Sequence, residues 1–212
     1  MRHDSLPFTI ARVRDQRDLQ NAVRIRHAAY QRHVPELAQT LATPEPLDLA
    51  PGVWVLLAEA KHDRSPLGTM RIQTNGFAPL ALERSLELPE WLRTRRLAEA
   101  TRLGVVQGRL GTQVKHALFK AFFLLCRELH VEWMVVAGRS PIDRQYERLL
   151  FQDVYPGLGY VPLRHAGDLP HRVMMFETDS AYARWLAADH PLLDFVFHIV
   201  HDDIDLSEGQ TA

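Results

Sequence analysis

The side chains with most chemical promise share one short run, Glu99-Ala100-Thr101-Arg102, which sets a proton acceptor three residues from a guanidinium fork. The run reads as strand. Residues three apart on a strand point to opposite faces, so Glu99 and Arg102 can meet only across a bulge or an edge, or else they serve different sides of the sheet. Taken alone, the pair also reads as a structural ion pair. Shortly after it, Gly108-Arg109-Leu110-Gly111-Thr112 opens a helix. Amides left free at a helix start favour phosphate, and the same residues equally make a plain turn. The histidines, including His165 and His171, show no metal-ligand spacing, and the single cysteine, Cys126, adds none, so no metal is expected.

The surrounding pattern supplies elements to hold these residues. Residues 8–13 alternate like a half-buried strand, and Asp15 caps a helix carried by Leu19, Val23, Ile25 and Ala29. Residues 35–51 hold several prolines, lose periodicity and read as a long loop of the kind that often carries function. Two strands, 53–58 and 68–73, form an antiparallel pair, and after an irregular stretch residues 98–106 form a strand leading into a helix. Phe119, Phe122, Phe123 and Leu124 make that helix apolar almost all round, either as core on two sides or as the wall of a pocket. A strand at 133–137, a helical stretch at 142–151, a strand pair at 161–164 and 172–177, and helical stretches at 181–186 and 191–200 complete the chain. The order predicts an α/β class with a mixed sheet covered by helices on both faces. One domain is expected, in which residues 179–212 add a C-terminal helical extension and a solvated acidic tail to residues 1–178.

Four motifs occur in order: Arg26-His27-Ala28-Ala29-Tyr30, Glu45 to Asp48, Gly68-Thr69-Met70-Arg71 and Glu99-Ala100-Thr101-Arg102. Together they resemble those of the acyl-homoserine lactone synthases and the related long-chain N-acyl amino acid synthases, and the element order resembles the acetyltransferase (GNAT) fold. Where the lactone synthases carry a tryptophan the chain reads Arg32-His33-Val34-Pro35-Glu36; Glu45 stands for an aspartate and Thr101 for a serine. These departures favour the N-acyl amino acid synthase side.

The resemblance implies transfer of an acyl group from a phosphopantetheine thioester to a small amine, with no tightly bound cofactor. It implies catalytic roles for Glu99, Arg102 and Tyr146. Glu99 would take the amine's proton, and Tyr146, in a segment similar to Y-x-x-x-G-F with Leu150 replacing the glycine, would protonate the departing thiolate. Arg26, Tyr30, Glu45, Asp48 and Arg71 are the implied acceptor-binding set, an arginine being able to hold a carboxylate by two parallel hydrogen bonds. Backbone amides of Leu103, Gly104 and Val105 on a splayed strand would hold the oxyanion, and Arg109, Gly111 and Thr112 the donor's phosphates. The donor is acyl carrier protein or acyl-CoA. An acetyl-CoA-dependent acetyltransferase and a ligand-binding, non-catalytic descendant of the fold are the alternatives.

Composition agrees with such an enzyme. The 212 residues, 46% hydrophobic and 24% charged, are ordinary for a globular protein. A formal charge of −1 gives no whole-molecule case for nucleic acid. No apolar run is long enough for a transmembrane segment and the N-terminus lacks a secretory pattern, so a cytoplasmic location is expected. Arg93, Arg95 and Arg96 form a basic cluster that reads either as a patch for an acidic partner such as a carrier protein or as a general bias of the composition towards arginine.

Overall fold

The computed structural model describes residues 2–207. In chain order its elements are β1 (Arg2–His3), β2 (Phe8–Arg12), α1 (Gln16–Gln31), α2 (Pro35–Thr40), β3 (Val53–Ala60), β4 (Pro66–Thr74), α3 (Glu90–Arg93), β5 (Leu97–Val105), α4 (Gly108–Glu128), β6 (Trp133–Gly138), α5 (Asp143–Arg148), β7 (Gln152–Asp153), β8 (Val161–Leu163), β9 (Leu169–Glu177), α6 (Ala181–Ala187), β10 (Ile199–Val200) and β11 (Ile204–Asp205). Short 3-10 turns lie at Pro46–Leu49, Ala81–Arg84 and Arg164–Ala166, and a π-helical turn at Asp194–His198. The chain divides into two compact units, one of Met1–Ile72, Arg102–Leu125 and Asp194–Ala212, the other of Gln73–Thr101 and Cys126–Leu193.

In the first unit the strands lie in the order β11-β2-β3-β4. β2 runs antiparallel to β3, with Phe8 opposite Ala60 and Arg12 opposite Leu56. The alternation read in the sequence is present: Phe8 and Ile10 are buried and Thr9 is exposed. Asp15 caps α1 as expected, accepting the Asp18 N–H at 2.8 Å. Ala22 and Ile25 of α1 then pack on Val55 and Leu57 of β3. Residues 35–51, expected as loop, contain α2 and the turn Pro46–Leu49. Pro35 and Pro46 each stand at the start of a helical segment, where a missing N–H and a fixed φ cost nothing, so prolines that read as breakers are starters here.

The C-terminal reading needs two corrections. Residues 191–200 turn helically only as far as His198, through the π-helical turn; Ile199–Val200 form β10, parallel to β1 with Arg2 opposite Ile199. A short apolar run cannot be sorted into helix or strand by periodicity when its partner lies at the far end of the chain. Nor is the acidic tail simply solvated. β11 pairs parallel with β2, Asp203 accepts the Leu6 N–H at 2.8 Å and lies 2.7 Å from Lys61, and Asp205 lies 3.2 Å from Arg14. From α4, the buried Lys120 donates to the carbonyls of Phe195 and Ile199 and sits 2.8 Å from His201 Nδ1. Residues 208–212 of the expected tail lie outside the described residues.

In the second unit the order is β5-β6-β9-β7, with β8 on β9. β5 is parallel to β6 over Leu97–Ala100 against Trp133–Val136, and β6 is antiparallel to β9 along its length. Leu80, Leu82, Leu92, Leu97, Val135 and Val173 belong to its core, so the stretch before β5 that looked irregular is anchored by its leucines. Gly138, at the end of β6, lets α5 close on the strand: a Cβ there would stand 2.8 Å from Asp143 Cα. Among the described residues no helix is long and apolar enough to cross a membrane.

Candidate active site

Four of the elements picked out by motif bring their charged residues to one place in the first unit. α1 supplies Arg26, the segment opening the 3-10 turn supplies Glu45 and Asp48, β4 supplies Arg71 and β5 supplies Arg102. Arg26 donates to both Asp48 oxygens, at 3.0 and 2.8 Å, and to Glu45 at 3.0 Å. Arg71 Nη1 reaches Glu45 at 3.0 Å and Asp48 at 3.2 Å. Arg102 makes the two-pronged bond, Nε and Nη2 each 2.7 Å from a Glu45 oxygen. The carboxylates are themselves aimed: Asp48 accepts the Glu45 N–H at 2.8 Å, so each residue caps the turn for the other.

The three guanidiniums are buried, at 1, 2 and 6% exposure. Charges this dry persist only when paired and hydrogen-bonded. Burial pushes the Glu45 carboxyl up, but the bonds and charge of Arg102, with Arg71 and Arg26 behind, outweigh it and leave the group below its ordinary value. Asp48 is lowered in the same way against its burial, chiefly by Arg26. Burial also works against the charge on Arg102, and the Glu45 bonds reverse it; Tyr30, half-buried at the end of α1, adds to the effect. Arg102 has φ of +56°, a left-handed conformation in mid-strand that breaks the pleat of β5; its guanidinium goes to Glu45 and the Glu99 carboxylate to Leu82 and His165.

Glu99 lies in the second unit, at 0% exposure. Its Oε2 accepts the Leu82 N–H at 3.2 Å and its Oε1 is 3.5 Å from Nε2 of His165, a residue whose side chain is 8% exposed. Tyr146, half-buried on α5, packs its ring 5.7 Å from that of Phe151. Leu150, in the place of the motif glycine, has φ of +67°, so it holds a conformation glycine would adopt without strain.

The remaining donor-binding candidates follow β5 into α4. Gly104 packs on α1, where a Cβ would come 3.1 Å from Arg26 Cα; Gly111 lies under the Val106 carbonyl, 1.8 Å from where a Cβ would be. No larger residue fits at Gly111 without moving backbone, and at Gly104 α1 would have to give by a few tenths of an ångström. Leu103 and Val105 are half-buried, the Val105 carbonyl accepts from Arg32 at 2.7 Å, and Arg109 and Thr112 are exposed in the first turn of α4. Arg26, Glu45, Asp48, Arg71 and Arg102 therefore meet, with Tyr30 beside them, while Glu99 and Tyr146 belong to the other unit. The sequence reading missed Arg32 as a carbonyl donor and His165 as the neighbour of Glu99. It also missed a cavity of about 240 Å³ beside Asp48, walled by Arg12, Leu19, Leu49 and Trp54.

No family model and no curated protein matches the sequence. Solved structures do. FeeM, an N-acyl amino acid synthase from uncultured soil microbes, superposes with a TM-score of 0.68 over 86% of this chain and 96% of its own, at 16% identity. The acyl-homoserine lactone synthase LasI gives 0.58 over 82% and 92%, at 15% identity. An acetyltransferase of the GNAT family from Staphylococcus aureus Mu50 gives 0.54 over 81% and 99%, at 13% identity. The chain thus has the acetyltransferase-like fold, and it resembles the N-acyl amino acid and lactone synthases in structure as well as in motif.

Proposed function

We propose that the protein is an N-acyltransferase that moves an acyl group from acyl carrier protein or acyl-CoA to the amine of an amino acid or similar small acceptor. The observation that carries this reading is the convergence of Arg26, Glu45, Asp48, Arg71 and Arg102, chosen on four separate motifs, into one buried charge cluster. A fold shared with FeeM and LasI supports it. Aminolysis of a thioester needs a neutral amine, a stabilised oxyanion and a protonated leaving thiol. Glu99 takes the first proton, amides of Leu103, Gly104 and Val105 hold the oxyanion, and Tyr146 protonates the thiolate. Arg71 holds the acceptor's carboxylate and Arg102 orders the acidic loop. Arg109, Gly111 and Thr112 receive the phosphates of the donor. Mass spectrometry of lipid extracts tests the reading: cells making the protein should contain N-acylated amines that cells making Glu99→Gln lack, and identical extracts would contradict it.

A second reading, an acetyl-CoA-dependent acetyltransferase, draws on the tight passage into α4, where Gly111 fits beneath the Val106 carbonyl. Strong retention on an acetyl-CoA resin, together with no use of carrier-bound acyl chains, would favour it.

A further inference from the structure

Glu99 is fully buried between two turns that lie far from it in sequence. On one side the turn Ala81–Arg84 gives the Leu82 N–H to Oε2; on the other the turn Arg164–Ala166 sets His165 Nε2 3.5 Å from Oε1. The second turn is fixed in its own right. Its Arg164 N–H is accepted by Ser85 Oγ at 2.8 Å, and Gly167, with φ of +72°, closes it through N–H donation to the Arg164 carbonyl at 3.2 Å. An imidazole and a carboxylate are thus set 3.5 Å apart in a largely buried place, each on an element fixed by its own backbone bonds.

We propose that His165 is the positioning and proton-sharing partner of Glu99, so that the proton Glu99 removes from the acceptor amine passes on to the imidazole. The inference rests on the acyl-transfer reading for the source of that proton. Charge balance is what makes the pair useful. With Glu99 ionised and His165 neutral, the pair carries one buried negative charge, which burial disfavours. The N–H bond of the amine breaks as its nitrogen attacks the thioester carbon, the proton goes to Glu99 Oε1 and then to His165 Nε2, and the pair becomes net neutral. Acceptance of a proton therefore removes a buried charge. When the tetrahedral adduct expels the thiolate, a separate acid protonates the sulfur, and the pair returns its proton to solvent before the next turnover.

Two such coupled groups titrate as a unit. Other charged groups on the flanking turns are Glu83 and Arg84 on the first and Arg164 on the second, and Glu83 is engaged with the Leu80 N–H at 2.7 Å. With the imidazole present, the acid limb of the rate profile belongs to the pair, because the carboxylate favours the protonated ring. His165→Gln keeps a side chain of similar reach but cannot take the proton.

The experiment has two arms. In the first, histidine-labelled protein is titrated by NMR, with His165→Gln identifying the resonance; the His165 titration should fall by at least about one pH unit in Glu99→Gln. In the second, the pH dependence of acyl transfer is measured for wild type, His165→Gln and His165→Asn, and the acid limb should move down by at least about one unit with a roughly tenfold or greater loss of plateau rate. An unchanged titration in Glu99→Gln, or an unchanged limb in both histidine variants, overturns the proposal. A shifted titration in a protein that transfers no acyl group supports the shared proton and removes the acyl-transfer reading instead.

Discussion

A guanidinium stripped of water needs an anion, and three of them in one unit share two carboxylates here. The roles proposed for two of them differ. Arg102 meets Glu45 through Nε and Nη2, and Arg71 reaches Glu45 and Asp48 through Nη1. Arg102→Lys, which replaces the fork by one point charge, should lower stability by about 1–3 kcal/mol as well as activity. Arg71→Lys should mainly raise the acceptor KM at near-normal melting temperature. Melting temperature and KM measured on both variants check this, and a reversed pattern would exchange the roles. The acid side offers an independent check. Glu45 and Asp48 have folded values below their ordinary 4.5 and 3.8, so the stability they contribute is complete above those values and is lost as pH falls through the lowered ones. Melting temperature should drop below about pH 4.5 in the wild type, and less steeply in Glu45→Gln. These five residues were legible because they sit in four short motifs, Glu45 and Asp48 sharing one. His165 was not: it reaches Glu99 from a turn with no spacing signal, and only the fold brings them together.

Elements in the first unit are held by contacts between segments far apart in the chain that no window of sequence displays. Lys120 is the clearest case. It lies on the apolar helix α4, and its ammonium secures the π-helical turn and β10 by donating to Phe195 and Ile199. Lys120→Met keeps the stem but leaves two carbonyls without their donor, and should cost about 1–3 kcal/mol and speed hydrogen exchange across residues 194–206. Burial holds the Lys120 ammonium down to about 8, against an ordinary 10.5. The folded protein therefore releases this proton before the unfolded chain does. Wild-type stability should gain relative to Lys120→Met as pH rises from 8 towards 10.5, with the full burial cost present below 8. Denaturant titrations at pH 7 and 9.5 measure the difference, and a constant gap would contradict it. The strands with strong alternation and the capped helix α1 were readable because their determinants are local. Two-residue strands such as β10 and β11 were not, because pairing with β1 and β2 alone defines them. The left-handed backbone at Arg102 and Leu150 was equally hidden, since neither residue type announces it.

At the scale of the whole molecule, the question is what the surface offers a donor. Arg93, Arg95 and Arg96 are exposed in the second unit, but Arg93 lies 2.7 Å from Glu87, and Arg95 lies 3.2 Å from Glu132, which also accepts the Arg96 N–H. Their field is partly met at home. If they dock a carrier protein, changing all three to alanine should weaken use of a carrier-bound donor, most at low salt, and leave a short pantetheine thioester unaffected. Equal loss with both donors would place them elsewhere. Transfer of an acyl group to an amine is tested by incubating the purified protein with carrier-bound and CoA-bound acyl chains of several lengths and a panel of amino acids, with mass spectrometry of the products. An amide-linked product is expected from at least one pair, formed about 10²–10⁴-fold more slowly by Glu99→Gln. No product from any pair, or equal formation by Glu99→Gln, would contradict it.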